Sequence, residues 1–586
     1  MNTIPPSHII SRQLLIILMT SWLCISCTQG DSTQTDGSDF DADPSNQPTN
    51  LGSGNSDDFF NSEHVIDVRI QMPAEDFAVL RAEGRTLASA ESECMEDFEF
   101  TEFVADVTID GVVINDVEIR KKGFLGSISR IRPSIKLDFD SFVEDRTYNE
   151  MSRMTLNNDR QDPSHTHQCM AYDMFRKAGL VAPRCSLSRV TVNGEELGVY
   201  TNVENIKKPF LERSYGDKSG NLYEAQIADF GVYTNDKFEK KTNKKENDRS
   251  DLAAVADALT LDDENLISTL EQLIDVDEFI RFWAVETLIG HWDSATGNAN
   301  NYYIYQSPSD GLFHYIPWGT DAAFTGENIF KPNAGPLYKN INIASRLYAM
   351  EQYRTQYHNT LTELMDSIWD EEALLAEANR IKQLTGTPES AYTNVTSFIN
   401  NQRELLSSAI AGQGAGQIEY LIDDEAVDCS SPASITTLSA AVQSSGGVDT
   451  GTFTFTNLEG QLVTANLFYA SFEVDSLEYS VSNLTSPPVV SLLLIGVDAS
   501  DAYKPYVLQV FIEAPDYVVG DHALQGFATN LLLFEVDEDA YGGVRTLALG
   551  STGVITLNSI GDVDSEGDVN MSINAELKFT ATEGEL

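Results

Sequence analysis

Hydrophobic and polar residues alternate with period two over His64-Val65-Ile66-Asp67-Val68-Arg69-Ile70, predicting a half-buried strand where ordered structure begins. The alternation returns at Phe103-Val104-Ala105-Asp106-Val107-Thr108-Ile109, and Asp110-Gly111 predicts a tight turn into Val112-Val113-Ile114. A second hairpin is predicted from residues 187–192 to 197–203 through Asn193-Gly194, a pair suited to positive φ. Between the two hairpins, residues 168–178 carry apolar positions at helical spacing, and Gly179 supplies a C-cap. Helical period dominates later, over 276–289 and roughly 343–384. The fold class is therefore α+β, with a domain over 63–415 that is β-rich first and mostly helical afterwards.

From about Ser431 the pattern changes to short alternating strands such as Gly451-Thr452-Phe453-Thr454-Phe455 and Val507-Leu508-Gln509-Val510-Phe511-Ile512, separated by Gly, Asp and Asn turns. This predicts a second, C-terminal all-β sandwich-like domain over 430–586 with a structural or adhesive accessory role.

The first 27 residues read as an export signal: a weakly basic start with Arg12, the apolar run Leu14-Leu15-Ile16-Ile17-Leu18-Met19, then Ser26 before Cys27. The apolar stretch is shorter than the roughly 20 residues a spanning helix needs. Leu23-Cys24-Ile25-Ser26-Cys27 resembles a bacterial lipobox, which makes Cys27 the lipidation site. An ordinary secretory signal cleaved nearby is the other reading. Residues 28–62 are Asp, Ser, Gly, Asn, Thr and Pro with few large aliphatics, and are expected to form a disordered tether. The expected location is the cell envelope, anchored at the outer membrane or extracellular, with membrane contact only through the lipid.

Charge narrows the partners. Ninety acidic against 38 basic side chains give a formal charge of −52, which repels a phosphate backbone and argues against nucleic acid. Beyond Cys27, four cysteines remain at 94, 169, 185 and 429. In an oxidising compartment one or two disulfides are expected; three pairings are open, with Cys169 and Cys185 nearest in sequence.

The densest polar cluster on an apolar background is Gly290-His291-Trp292-Asp293-Ser294-Ala295-Thr296-Gly297-Asn298-Ala299-Asn300-Asn301. It ends a helix and enters Tyr302-Tyr303-Ile304-Tyr305, which turns near Pro308-Ser309-Asp310-Gly311 and returns to Pro317-Trp318-Gly319-Thr320-Asp321. A hairpin brings its ends together, so Asp293, the asparagines and Asp321 are expected to converge. Carboxylate and amide oxygens gathered this way suit a hard cation such as Mg²⁺ or Mn²⁺. The five-residue step from Asp293 to Asn298, then a hairpin, then Asp321, follows the order of a kinase catalytic loop and its metal carboxylate. His291 and His314 read as packing or hydrogen-bonding residues. Upstream, six basic residues fall within Arg120 to Lys136, and Lys136 alternates with Ile135 and Leu137 on a strand. Gly123, Gly126 and Ser127 supply a backbone turn able to approach phosphates. No Walker A or G-x-G-x-x-G sequence accompanies them.

Together these pieces resemble the CotH kinase family from about Val65 to Phe330. The likeness runs through Gly123–Ser127 with Pro133-Ser134-Ile135-Lys136-Leu137, Leu156-Asn157-Asn158-Asp159, the Asn193-Gly194 hairpin with Glu204, Asn221-Leu222-Tyr223, and Trp292-Asp293 through Pro317-Trp318. The resemblance implies a bilobal, atypical protein-kinase-like domain that uses ATP and a divalent metal to phosphorylate Ser or Thr on a protein substrate. It implies Asp293 as catalytic base, Lys136 and Ser127 on the nucleotide, Glu204 as partner of the lysine, and Asn298 or Asn301 with Asp321 on the metal. Many relatives read Pro-Trp-Asp-x-Asp where this chain has Pro317-Trp318-Gly319-Thr320-Asp321, so the metal carboxylate would pass to Asp321. A catalytically silent envelope protein, binding a surface partner through the same fold, is the alternative.

Overall fold

The computed structural model describes residues 50–84, 98–123, 129–231, 234–246, 248–325, 335–412, 421, 435–445, 448–457, 460–475, 489–501, 504–513, 517–524, 529–536, 544–560 and 569–579. The export signal with Cys27, the glycine-rich turn with Ser127, and Cys94 and Cys429 lie outside the described residues. Among the described residues no helix is long and apolar enough to cross a membrane.

The expected tether ends earlier than its composition suggests. Asn50–Leu51 pairs in parallel with Thr147–Tyr148, and Ser56–Phe59 forms a short helix closed by an Asn55–Asp58 capping box. Phe59 and Phe60 are buried, and the Phe59 ring meets Tyr148 edge-on at 5.7 Å. Two adjacent aromatics outweigh the polar residues around them, because each buries enough apolar surface to offset local ordering.

Seven strands then close a barrel: β1 (Val65–Gln71), β2 (Glu102–Ile109), β3 (Val112–Lys122), β4 (Ser134–Asp138), β5 (Arg153–Asn157), β6 (Cys185–Val192) and β7 (Glu195–Val203). Their order is β1-β2-β3-β4-β5-β7-β6, and the circle closes through the parallel pair β1–β6. Alternation buries one face of each strand in a shared core that includes Val68, Val107, Ile119, Ile135, Leu156 and Val190. Both predicted turns form: Asp110 and Gly111 have φ of 47° and 84°, Asn193 and Gly194 of 52° and 84°. Helix α1 (Ala74–Ala82) follows β1, and α2 (His167–Lys177) follows β5. A disulfide joins Cys169 on α2 to Cys185 on β6, with Cα atoms 5.4 Å apart.

The chain continues through α3 (Lys208–Tyr215), β8 (Asn221–Ala225), β9 (Phe238–Lys240), α4 (Ser250–Leu259), α5 (Asp263–Leu270) and α6 (Val276–Leu288). After a one-turn helix α7 (Ala295–Asn298) come β10 (Tyr302–Gln306), β11 (Phe313–Pro317), α8 (Asn342–Ala349), α9 (Glu351–Ser367), α10 (Glu371–Thr385) and α11 (Thr393–Ile410). The four strands form an antiparallel sheet in the order β9-β8-β10-β11. Helix α6 is almost wholly buried, and its Trp283 stacks on Tyr357 of α9 at 3.8 Å. That packing makes α6 a fixed base for the loop that follows it.

The C-terminal strands are β12 (Ile435–Ser445), β13 (Val448–Thr456), β14 (Leu462–Asp475), β15 (Val489–Asp498), β16 (Pro505–Glu513), β17 (Gly520–Ala523), β18 (Thr529–Val536), β19 (Val544–Ile560) and β20 (Val569–Phe579). They correct the sandwich expectation. One continuous sheet runs from β12 through β13, β14, β15, β16, β18 and β19 to β20, and β20 pairs again with β12, giving a barrel-like closure; β17 adds to β19. Strand β19 pairs with β17, β18 and β20, and its pairing with β20 shifts register at Gly550/Thr552 and Leu557/Ser559. At Gly553 an added Cβ would lie 2.4 Å from the Ala575 Cα, so only glycine permits the close approach. Period-two alternation is the same in a sandwich and a barrel; what differs is whether bulges curl the sheet until its edges meet.

Candidate functional site

The loop after α6 is held from two sides. Glu286, buried on α6, accepts hydrogen bonds from the Ala295 and Thr296 amides at 3.2 and 2.9 Å and from the Thr296 hydroxyl at 2.6 Å. Burial pushes its carboxyl up to about 7 despite these donors. From the other side, Asn340 donates to the Gly297 carbonyl at 2.9 Å, and its own amide to the Thr296 carbonyl at 2.8 Å. The loop is therefore rigid where Asp293 needs it to be.

Asp293 is caged by asparagines. Asn298 and Asn300 donate through Nδ2 to its Oδ1 at 2.8 and 3.2 Å, and Asn301 donates to its Oδ2 at 2.7 Å and its carbonyl at 2.9 Å. Only the amide nitrogens can donate to a carboxylate, which settles the orientation of all three amides. Pairing of Tyr302 with Pro317 places Asn301 beside the return strand, and the Trp318 amide donates to the Asn301 carbonyl at 3.1 Å. The expected convergence therefore forms, and Asp293 is close enough to help raise Asp321.

Asp321 lies on a single 3₁₀ turn, Thr320–Ala322, entered through Gly319 at φ 50°. Burial, with Asp293 and Asp159 nearby, pushes its carboxyl up to about 7, against the pull of Lys122. Mg²⁺ is held through one or two carboxylates plus other oxygens, waters and phosphates, so Asp321 with an amide oxygen of Asn298 or Asn301 fits it chemically. Among the described residues no three His, Cys, Asp or Glu side chains gather as a metal cage.

The facing wall is the outer surface of the barrel. In the β3–β4 pair, Arg120 stands opposite Lys136 and Lys122 opposite Ser134, so these residues share the face away from Ile135 and Leu137. Burial, with Lys122 and Arg120 beside it, pushes Lys136 down to about 7. Burial likewise lowers Lys122 to about 8, against the attraction of Asp321, Glu224 and Asp159. Lys122 donates to Asn157 Oδ1, and its ammonium lies 5.9 Å from the centre of the Trp318 ring. Asn157 in turn donates to Gln168 Oε1 at 2.6 Å, and Gln168 to Asp159 Oδ1 at 3.1 Å, which ties the barrel to α2.

Glu204 corrects an expectation. Rather than pairing with Lys136, it is buried between two arginines: Arg184 Nη2 reaches Oε1 at 2.7 Å and Arg213 Nη2 reaches Oε2 at 2.7 Å. The carboxylate near Lys136 is instead Glu224 on β8, which forms an ion pair with Lys241. Burial alone would raise Glu224, but Lys241 and Lys136 hold it below its ordinary value. Its register, opposite Tyr303 on β10, places it here, directly after Asn221-Leu222-Tyr223. His291 is buried and pushed down to about 3 by burial, while His314 bonds Glu278 and Asp310 at 3.0 and 3.1 Å. His314 is a hydrogen-bonding residue and His291 a buried packing one.

An asparagine-caged aspartate and a second, half-buried carboxylate thus lie near Lys122 and Lys136. Residues 119–409 match the family described as "CotH kinase protein", so the chain carries a CotH family domain there. It is similar to "Inner spore coat protein H" of Bacillus subtilis, 25% identical over 43% of this chain and 72% of that protein. It is 24% identical to the "Inner spore coat protein H-like protein" of the same organism, over 44% of this chain and 80% of that protein. "Invasin CotH2" of Rhizopus delemar is 24% identical over 32% of this chain and 34% of that protein.

Proposed function

We propose that this protein is an exported, surface-associated atypical kinase that transfers the γ-phosphoryl group of ATP to a Ser or Thr hydroxyl of a protein, with Mg²⁺ or Mn²⁺. The observation that carries this reading is the position of the asparagine-caged Asp293 near Asp321, across from Lys122 and Lys136. In this reading the barrel and the helical body are the two lobes of a kinase-like domain. The similarity to spore coat and invasin proteins supports a surface location. Cys27 would anchor the chain to a membrane through lipid.

Asp293 accepts the proton of the attacking hydroxyl while the three asparagine amides hold its orientation. Lys136 and Lys122 balance the phosphate charges, with Glu224, itself paired with Lys241, as the carboxylate near Lys136. Asp321, with Asn298 or Asn301, would hold the divalent ion, which when bound would neutralise charge on the phosphates. Mass spectrometry of the full chain with ATP and Mn²⁺ tests the reading: phosphate addition, abolished in Asp293→Asn, is expected. Added nucleotide instead of phosphate would mean another group-transfer chemistry.

A second reading rests on Gly319, which supplies no carboxylate, leaving Asp321 alone on that turn. On that reading the domain binds a surface partner without turnover. It requires that neither ATP nor metal alters the melting temperature and that partner binding is lost with the C-terminal barrel.

A further inference from the structure

Asp321 sits on one turn of 3₁₀ helix that has no side-chain cap and begins at a left-handed residue. Its carboxylate is bonded by the residue's own backbone amide, so where it points follows the backbone of the turn, and a contact from outside the turn holds that backbone. That contact comes from the first residue of α2. His167 Nδ1 lies 2.7 Å from the Asp321 carbonyl oxygen, and since a carbonyl only accepts, the ring nitrogen donates. Asp162 orients the imidazole from behind: its Oδ2 accepts the His167 amide at 2.7 Å, and its Oδ1 lies 3.4 Å from Nε2. Both residues are buried, His167 at 4% exposure and Asp162 at 1%, so the pair is screened from competing water.

The rest of α2 gives the pair a firm base. Cys169, two residues on, is bonded to β6, and Gln168 is linked to Asn157 and Asp159. The His167 ring also lies 6.1 Å from the ring of Phe324, whose amide donates to the Ile289 carbonyl at 2.8 Å. The turn is thus pinned at Asp321 by α2 and at Phe324 by the end of α6.

We infer that His167, oriented by Asp162, is a positioning residue that fixes the Asp321 turn and so sets the affinity of the site for a divalent cation. The cation part rests on the function proposed above; the pinning of the turn does not. His167 touches neither nucleotide nor acceptor in this role.

The test uses the full chain and three variants. His167→Leu removes the donor, His167→Asn restores an amide N–H near the place of Nδ1, and Asp162→Asn loosens the ring. The first readout is amide hydrogen exchange over residues 318–324, which needs neither metal nor activity. It is expected to quicken at least tenfold in His167→Leu and to return to within threefold of wild type in His167→Asn. The second is the Mn²⁺ concentration that half-saturates ADP-dependent binding, read by electron paramagnetic resonance. It is expected to rise at least tenfold in His167→Leu and threefold or more in Asp162→Asn, and to recover in His167→Asn. Unchanged exchange in a folded His167→Leu protein overturns the inference, as does Asn failing to rescue exchange. Wild-type protein that binds no Mn²⁺ with nucleotide would defeat the proposed function, while the exchange result would still decide the role of His167.

Discussion

Asn301 occupies the space that a side chain at position 319 would need: a Cβ built on Gly319 would lie 2.5 Å from Asn301 Oδ1. The same asparagine donates to both the carboxylate and the carbonyl of Asp293. A carboxylate at 319 and an Asn301 amide locked on Asp293 are therefore incompatible in this conformation. The absence of an acid at 319 is tied to the caging of Asp293.

Gly319 has φ 50°, so replacement costs both backbone strain and displacement of Asn301. Gly319→Ala is expected to destabilise the protein by about 1–2 kcal/mol, read from denaturant midpoints. Gly319→Asp should tolerate the backbone better but loosen Asn301. Slower phosphate transfer is expected from it, and a gain in rate would contradict the incompatibility.

Glu204 and Lys136 should separate cleanly. Glu204→Ala leaves Arg184 and Arg213 without their shared partner and should cost about 3 kcal/mol of stability. Nucleotide affinity of the remaining folded protein should change less than about threefold, since the side chain lies elsewhere. Lys136→Met should do the reverse, weakening ATP binding about tenfold or more with little change in melting temperature. Equal effects of both on ATP would restore Glu204 as the lysine's partner.

Binding of a polyphosphate should draw protons from solution. Lys136 and Lys122, lowered to about 7 and about 8, are partly neutral near pH 8, and an adjacent phosphate favours their charged forms. Calorimetry of ATP binding at pH 8 in buffers of different ionisation enthalpy should report net proton uptake, shrinking toward zero near pH 6. Buffer-independent heats at pH 8 would count against both lysines facing phosphate.

Glu286 gives the fold a pH signature. Its carboxyl sits at about 7 when folded against an ordinary 4.5, so the folded state binds the proton more tightly than the unfolded chain. Its contribution is fully present below about 4.5 and is lost as pH rises through 7. Stability of wild type relative to Glu286→Gln should therefore fall by about 2–3 kcal/mol between pH 4.5 and pH 8, followed by chemical denaturation. A pH-independent difference would place Glu286 as an ordinary carboxylate.

The Cys169–Cys185 bond closes a loop of sequence separation 16. Reduction, or the double change to serine, should cost about 3 kcal/mol. The check is the shift in denaturant midpoint with and without reductant, compared with the double variant.

The sequence by itself determined whatever depends on local chemistry. Asn193-Gly194 dictates a left-handed turn whatever surrounds it, and the Val276–Leu288 helix follows from its own apolar stripe. The approach of Asp293, Asn301 and Asp321 was legible too, because a hairpin brings the two ends of its strands together. Only tertiary structure decided which charges meet across elements. Glu204 and Glu224 are both acids at strand ends or strands, and nothing local says that Arg184 and Arg213 capture one while the other faces Lys136. Nor does local pattern reveal that His167 reaches a carbonyl 154 residues away, or that β20 returns to β12 and closes a barrel. Periodicity reports which face of an element is buried, whereas the partner of that face, and of each buried charge, is set by long-range packing.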